Sequence, residues 1–135
     1  MEKSLMTELY CRAYDASARA YAPYSRFPVG AALLLPDGSI MTGVNVENRS
    51  YGLTNCAERT AVFAAVAAGY RTFQAIAIAT PAAAAPTGPC GGCRQVLSEF
   101  APPETPVIFG ASPDNLVETT IGELYPFDSL HELGR

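Results

Sequence analysis

Cys56, Glu58 and Arg59 fall within four consecutive residues, at the start of a stretch with helical spacing. Cys90 and Cys93 occupy a second such start, Pro89-Cys90-Gly91-Gly92-Cys93-Arg94-Gln95. The partial positive charge and free N–H groups of a helix N-terminus favour thiolates, so both stretches suit reactive or ligating sulfur. Zinc binds thiolates well, and a catalytic zinc keeps three protein ligands while leaving a fourth position to water. Cys56, Cys90 and Cys93 supply three. Glu58 lies too near Cys56 along the helix to make a comfortable fourth ligand. It is placed to reach a water at that position, as general base and acid. Three thiolates on one divalent ion leave a net negative charge, which weakens the ion as an acid. Arg59 and Arg94 are the candidates to offset it.

The rest of the composition limits what such a site would serve. At 135 residues, one domain over residues 1–135 is expected, burying roughly 68 % of its unfolded surface. The chain is 49 % hydrophobic and only 16 % charged, apolar enough to suggest that other subunits cover part of its surface. Net charge is −4 and no basic run occurs, so a polynucleotide meets little attraction. A nucleoside or another small, weakly charged substrate fits better. Residues 1–8 lack an apolar signal-peptide core. The four cysteines are therefore read as metal-bound or free thiols in a reducing, cytoplasmic compartment. No apolar run approaches the length of a membrane span.

The elements that must position the site follow from periodicity. Leu5, Leu9, Ala13, Ala16 and Ala20 step by three or four and predict a helix over residues 2–21. Cys11 in that helix is expected to be a small buried hydrophobe. Residues 22–31 form a rigid loop with two prolines and a glycine, and Tyr24 and Phe27 read there as core aromatics. Residues 31–35 and 39–46 predict a hairpin around Pro36-Asp37-Gly38. At its end Asn45 and Glu47 alternate with Val46 and share a face that could grip hydroxyl-rich ligands. Residues 56–69 predict a helix that is apolar nearly all round, hence buried by a sheet and by another subunit. Strands are expected over residues 73–80, 106–110 and 116–119, with a helix over 90–100 and a helical turn at 120–124. His131, the only histidine, reads as a solvated tail residue, since a lone imidazole without ligand spacing is weak evidence. A hairpin followed by alternating helices and strands predicts a three-layer α/β/α fold with a mixed five-stranded sheet.

Four motifs then coincide in order. They are Pro23-Tyr24-Ser25-x-Phe27-Pro28-Val29-Gly30-Ala31, Asn45-Val46-Glu47-Asn48, Cys56-Ala57-Glu58-Arg59, and Pro89-Cys90-Gly91-x-Cys93-Arg94-Gln95. The last two are the pattern of the zinc nucleobase deaminases. From Pro23 to about Phe109 the chain closely resembles the small homotetrameric cytidine deaminases. The resemblance implies that Cys56, Cys90 and Cys93 hold one Zn2+ per subunit, and that Glu58 moves protons from water to N3 and to the leaving amino group of a pyrimidine nucleoside. It implies that Asn45 and Glu47 bind ribose hydroxyls, that Phe27 packs on the base, and that the Ala57 amide donates to the base carbonyl. It implies that Tyr51 reaches a neighbouring subunit's site in a homotetramer. Pro126 and Phe127 are adjacent here, where many relatives separate the proline from a phenylalanine that covers the pocket.

Three other readings compete on sequence. A different deaminase would act on blasticidin-type antibiotics, deoxycytidylate or guanine, although Glu47 would repel a phosphate. A structural zinc module would recruit Cys11 as a fourth ligand and leave Glu58 unexplained. A thiol–disulfide oxidoreductase would use Cys90 and Cys93 and make Cys56 and Glu58 coincidental.

Overall fold

The computed structural model describes residues 2–130; His131 lies outside them. The chain runs α1 (Lys3–Ser17), β1 (Gly30–Leu34), β2 (Ile40–Val44), a short 3-10 turn (Tyr51–Leu53), α2 (Ala57–Ala67), β3 (Ala75–Ala79), α3 (Gly91–Phe100), β4 (Pro106–Gly110), β5 (Leu116–Thr120) and α4 (Ile121–Leu124). The strands form one sheet in the order β2-β1-β3-β4-β5. β1 is antiparallel to both β2 and β3, β3 is parallel to β4, and β4 is antiparallel to β5. This is the mixed five-stranded sheet expected.

Alternation along the strands builds the two cores. Ile76 and Ile78 face α2 and α3, together with Leu33, Val107 and Phe109. Ala75, Ala77 and Ala79 face α1, where Met6, Leu9, Tyr10 and Ala13 pack. Small side chains on that face let the helix sit close to the strands. At Gly30 a Cβ would come within 1.9 Å of the Ala13 carbonyl oxygen. On the opposite face a Cβ on Gly43 would lie 2.4 Å from the Ala61 nitrogen and 2.6 Å from the Ala57 oxygen. Helix α2 therefore rests directly on β2.

The strand directions place the site. β2 and β3 both run antiparallel to β1, so they point the same way. Helices α2 and α3 each follow the carboxyl end of one of these strands. Both helix N-termini thus open at one edge of the sheet, the usual place for a ligand in such a fold.

Several expectations need correction. Helix α1 ends at Ser17 rather than continuing to residue 21. Tyr21 instead joins the chain beyond β2: its amide donates to the Asn45 oxygen at 3.0 Å, and its oxygen accepts from the Glu47 amide at 2.8 Å. β2 accordingly stops at Val44, and Val46 forms isolated bridges with Tyr21 and Asn55. Cys11 is exposed, because it falls off the stripe formed by Met6, Leu9, Tyr10, Ala13 and Ala16. Tyr24 is exposed and Phe27 half-buried, so neither is a core residue.

Candidate active site

Cys56 caps the N-terminus of α2, Cys90 caps that of α3, and Cys93 lies in the first turn of α3. Their sulfur atoms all lie within 4.8 Å of one another, and they form the metal-competent cluster among the described residues. Tetrahedral coordination at Zn–S of about 2.3 Å places sulfurs about 3.8 Å apart, so small side-chain adjustments suffice. Cys56 is half-buried, Cys90 exposed and Cys93 fully buried.

The electrostatics of the three thiols also fit a cation. A hydrogen bond from Cys93 and the adjacent Arg59 guanidinium hold Cys56 down to about 5, against the upward pull of burial. The same hydrogen bond and burial push Cys93 up. Neighbouring thiolates repel when nothing positive lies between them. Three thiols so arranged ionise together only around a positive ion. Arg59 donates from NH2 to Cys56 Sγ at 3.0 Å, while its buried Nε has no hydrogen-bond partner among the described residues. Cys90 Sγ accepts from the Cys93 amide at 3.5 Å.

Glu58 follows in the first turn of α2 and is 5 % exposed. Burial, reinforced by the Cys56 thiolate, lifts its carboxyl to about 7. A group poised near neutrality can both take and give a proton. Ala57, one residue earlier, is buried as the first residue of α2. Its amide is among those that a helix leaves without an internal partner.

Arg94 directs its donors elsewhere than to sulfur: Nε donates to the Pro89 oxygen at 2.8 Å and NH1 to the Leu124 oxygen at 3.0 Å. Tyr125 adds a hydroxyl bond to Gln95 Oε1 at 2.6 Å. The segment after β5 is therefore fastened to the loop that carries Cys90. Arg94 thus ties backbone segments around the cluster.

Asn45 and Glu47 do share one region, and both first serve the 23–29 loop. Asn45 Oδ1 accepts from the Val29 amide at 2.8 Å, and Nδ2 donates to the Phe27 oxygen at 2.9 Å. Glu47 Oε1 accepts from the amides of Tyr24 at 2.9 Å and Ser25 at 3.1 Å, and the Ser25 hydroxyl bonds Oε2. The Ser25 hydroxyl and these amides hold the Glu47 carboxyl below its usual range. Tyr51 is 73 % exposed and meets Tyr24 edge-on, with ring centroids 5.7 Å apart. Tyr24, Ser25, Glu47, Tyr51 and Thr54 line a cavity of about 320 Å³. Ser25 is the functional candidate that sequence reasoning missed. The available signal was a small hydroxyl residue in a turn, which commonly bonds the backbone two residues on.

A thiol cluster across two helix N-termini, with a buried carboxyl one turn away, places this α/β/α molecule in the class of zinc-dependent deaminases. Comparison with known proteins narrows the class. Residues 3–109 match the family model described as the cytidine and deoxycytidylate deaminase zinc-binding region, and the chain belongs to that family. It is 52 % identical over 114 residues to a cytidine deaminase of Halalkalibacterium halodurans, covering 84 % of this chain and 86 % of that one. It is 47 % identical over 119 residues to a cytidine deaminase of Sporosarcina psychrophila, covering 88 % and 87 %. The crystal structure of a cytidine deaminase from Burkholderia pseudomallei superposes with a TM-score of 0.86 at 46 % identity, covering 94 % of this chain and 98 % of that one. The protein is accordingly an enzyme, a deaminating hydrolase with zinc as its cofactor.

Proposed function

We propose that the protein deaminates cytidine and deoxycytidine to uridine and deoxyuridine with release of ammonia, as a pyrimidine salvage enzyme. The observation that carries this reading is geometric: the Glu58 carboxyl is buried in the first turn of α2, two residues beyond one of three thiols drawn together at two helix N-termini. Cys56, Cys90 and Cys93 hold zinc, which when bound supplies the Lewis acid that makes water a nucleophile near neutral pH. Glu58 accepts a proton from the attacking water and delivers it to N3. As the water oxygen bonds C4, Glu58 takes the second proton from the new C4 hydroxyl and passes it to the amino nitrogen; the C4–N bond breaks, ammonia leaves and the C4 carbonyl forms. Arg59 offsets the charge of the sulfur cluster through its bond to Cys56. The Ala57 amide donates to the base carbonyl, and Phe27 packs on the base. Asn45 and Glu47 receive the sugar hydroxyls.

Glu47 also supports a nucleoside over a nucleotide. Its carboxyl is held ionised, and an anion beside the sugar repels a phosphate. The net charge of −4 likewise disfavours a polynucleotide. We take residues 1–135 as one catalytic domain acting in the cytoplasm; no described helix is long and apolar enough to cross a membrane. A homotetramer with shared sites is the assembly that gives exposed Tyr51 a partner.

Ammonia release measured in parallel from cytidine, deoxycytidine, deoxycytidylate, guanine and blasticidin S tests the assignment. Turnover is expected with the first two. Preference for deoxycytidylate, guanine or blasticidin S would replace it with another deaminase.

A further inference from the structure

Phe27 and Glu47, assigned above to the base and the sugar, come from different segments, and one side chain joins them. The Ser25 hydroxyl bonds Glu47 Oε2 and accepts from the Phe27 amide at 3.0 Å. Between Ser25 and Phe27, Arg26 has φ of 56°, the one non-glycine residue in the left-handed region among the described residues. L-residues rarely adopt that conformation, so surrounding contacts must hold it. The turn is retained by the Arg26 amide on the Ala22 oxygen at 3.0 Å and by the Ser25 hydroxyl on the Phe27 amide.

Counting lone pairs shows what the hydroxyl does for Glu47. An ionised carboxylate offers about four acceptor positions. The Tyr24 and Ser25 amides take two on Oε1, and the Ser25 hydroxyl takes one on Oε2. Glu47 is 9 % exposed, so water competes little for what remains. One acceptor position, on Oε2, is left for a substrate hydroxyl.

We propose that Ser25 is a positioning residue: its hydroxyl orients the last free acceptor of Glu47, so recognition of the sugar hydroxyls passes through Ser25. This rests on the reading that Glu47 meets those hydroxyls. Loss of the Ser25 hydroxyl removes the donor on Oε2, while the Phe27 amide, whose bond lies at the surface, takes water in its place. Glu47 keeps the two amides on Oε1, but Oε2 loses the bond that fixes its direction.

The test compares kcat/KM for cytidine with that for 2′,3′-dideoxycytidine, which keeps the 5′-hydroxyl but lacks the 2′- and 3′-hydroxyls that would donate to Glu47. Parent enzyme, Ser25→Ala, Ser25→Thr, Glu47→Gln and the Ser25→Ala/Glu47→Gln double variant are measured in the zinc-loaded state. Ser25→Ala is expected to lose about 10- to 100-fold on cytidine, the range for a hydrogen bond to a charged group. The loss should lie mainly in KM, with little change on the dideoxy analogue. Ser25→Thr, which keeps the hydroxyl, should recover most of the loss. The double variant should match Glu47→Gln alone, because Ser25 acts through Glu47. Equal losses on both substrates, or additive losses in the double variant, overturn the proposal. Should Ser25→Ala fail to fold, Ser25→Cys carries the same comparison with a weaker donor of similar size. A Glu47→Gln enzyme that uses cytidine as well as the parent removes the assignment of Glu47 itself. That result is distinguishable from a failure confined to Ser25.

Discussion

Glu58 is a carboxyl group inside a protein interior, which costs stability unless the group has work to do. Replacing it with glutamine keeps volume and hydrogen bonding but ends proton transfer. Glu58→Gln is expected to retain zinc and its melting temperature while kcat falls by at least about 10²–10⁴-fold, the usual contribution of proton transfer. Single-turnover ammonia release and metal analysis on one preparation check this, and near-parental turnover would remove Glu58 from the chemistry. This part of the site was legible in sequence because its members are sequence neighbours: Cys56 with Glu58 and Arg59, and Cys90 with Cys93. The Ser25–Glu47 contact was not, since it joins residues 22 apart that only the fold brings together. Arg94 makes contacts that its sequence position does not reveal. It stands next to a ligand in sequence, yet its donors go to carbonyls of Pro89 and Leu124.

Helix α2 can deliver Cys56 and Glu58 only because β2 has no side chain at Gly43. The nearest atoms to a Cβ there are backbone atoms of Ala61 and Ala57, which cannot rotate aside. Gly43→Ala is therefore expected to destabilise the fold by about 1–3 kcal/mol, the range for overpacking. It should also lower zinc affinity, because the N-terminus of α2 must move outward. Denaturation midpoints and competitive zinc titration measure the two effects, and unchanged zinc affinity would show that the helix start is held by other contacts.

The hairpin between β1 and β2 has its own tie. Asp37 accepts from the Ser39 amide at 3.0 Å and hydroxyl at 2.6 Å, and from the Tyr70 hydroxyl at 2.6 Å. Those bonds lower its carboxyl from 3.8 to about 2. A lowered carboxyl stabilises the fold above its unfolded value and loses that contribution as pH falls toward the folded one. Asp37→Asn should thus melt below the parent at pH 7, with the gap closing between about pH 4 and pH 2. A gap that stays constant across that window would detach the bonds from stability. Periodicity revealed these elements well where both faces are buried, as in β3. It overran at α1 and β2, because Tyr21 takes up long-range pairing with the segment after Val44, which local pattern does not encode.

The single chain leaves large apolar groups facing outward. Phe63 on α2 is 49 % exposed, Leu53 71 % and Phe127 92 %. Scattered apolar exposure is ordinary, but Leu53 lies close to Tyr51 and Thr54, two residues of the cavity wall. A cavity wall that is mostly uncovered holds a nucleoside poorly, since ligand sites usually bury most of their ligand. Self-association would cover these residues and complete the wall in one step. For the homotetramer proposed above, native mass measurement is expected to report four copies. Phe63→Glu, which places a charge on the outward face of α2, should shift the mass toward single chains, because interface cores exclude charge. The separated chains should keep the fold, since Phe63 is absent from both buried clusters. They should lose most activity and regain it in step with mass when concentration is raised. A fully active single chain would mean that the wall around Tyr51 closes without a neighbour.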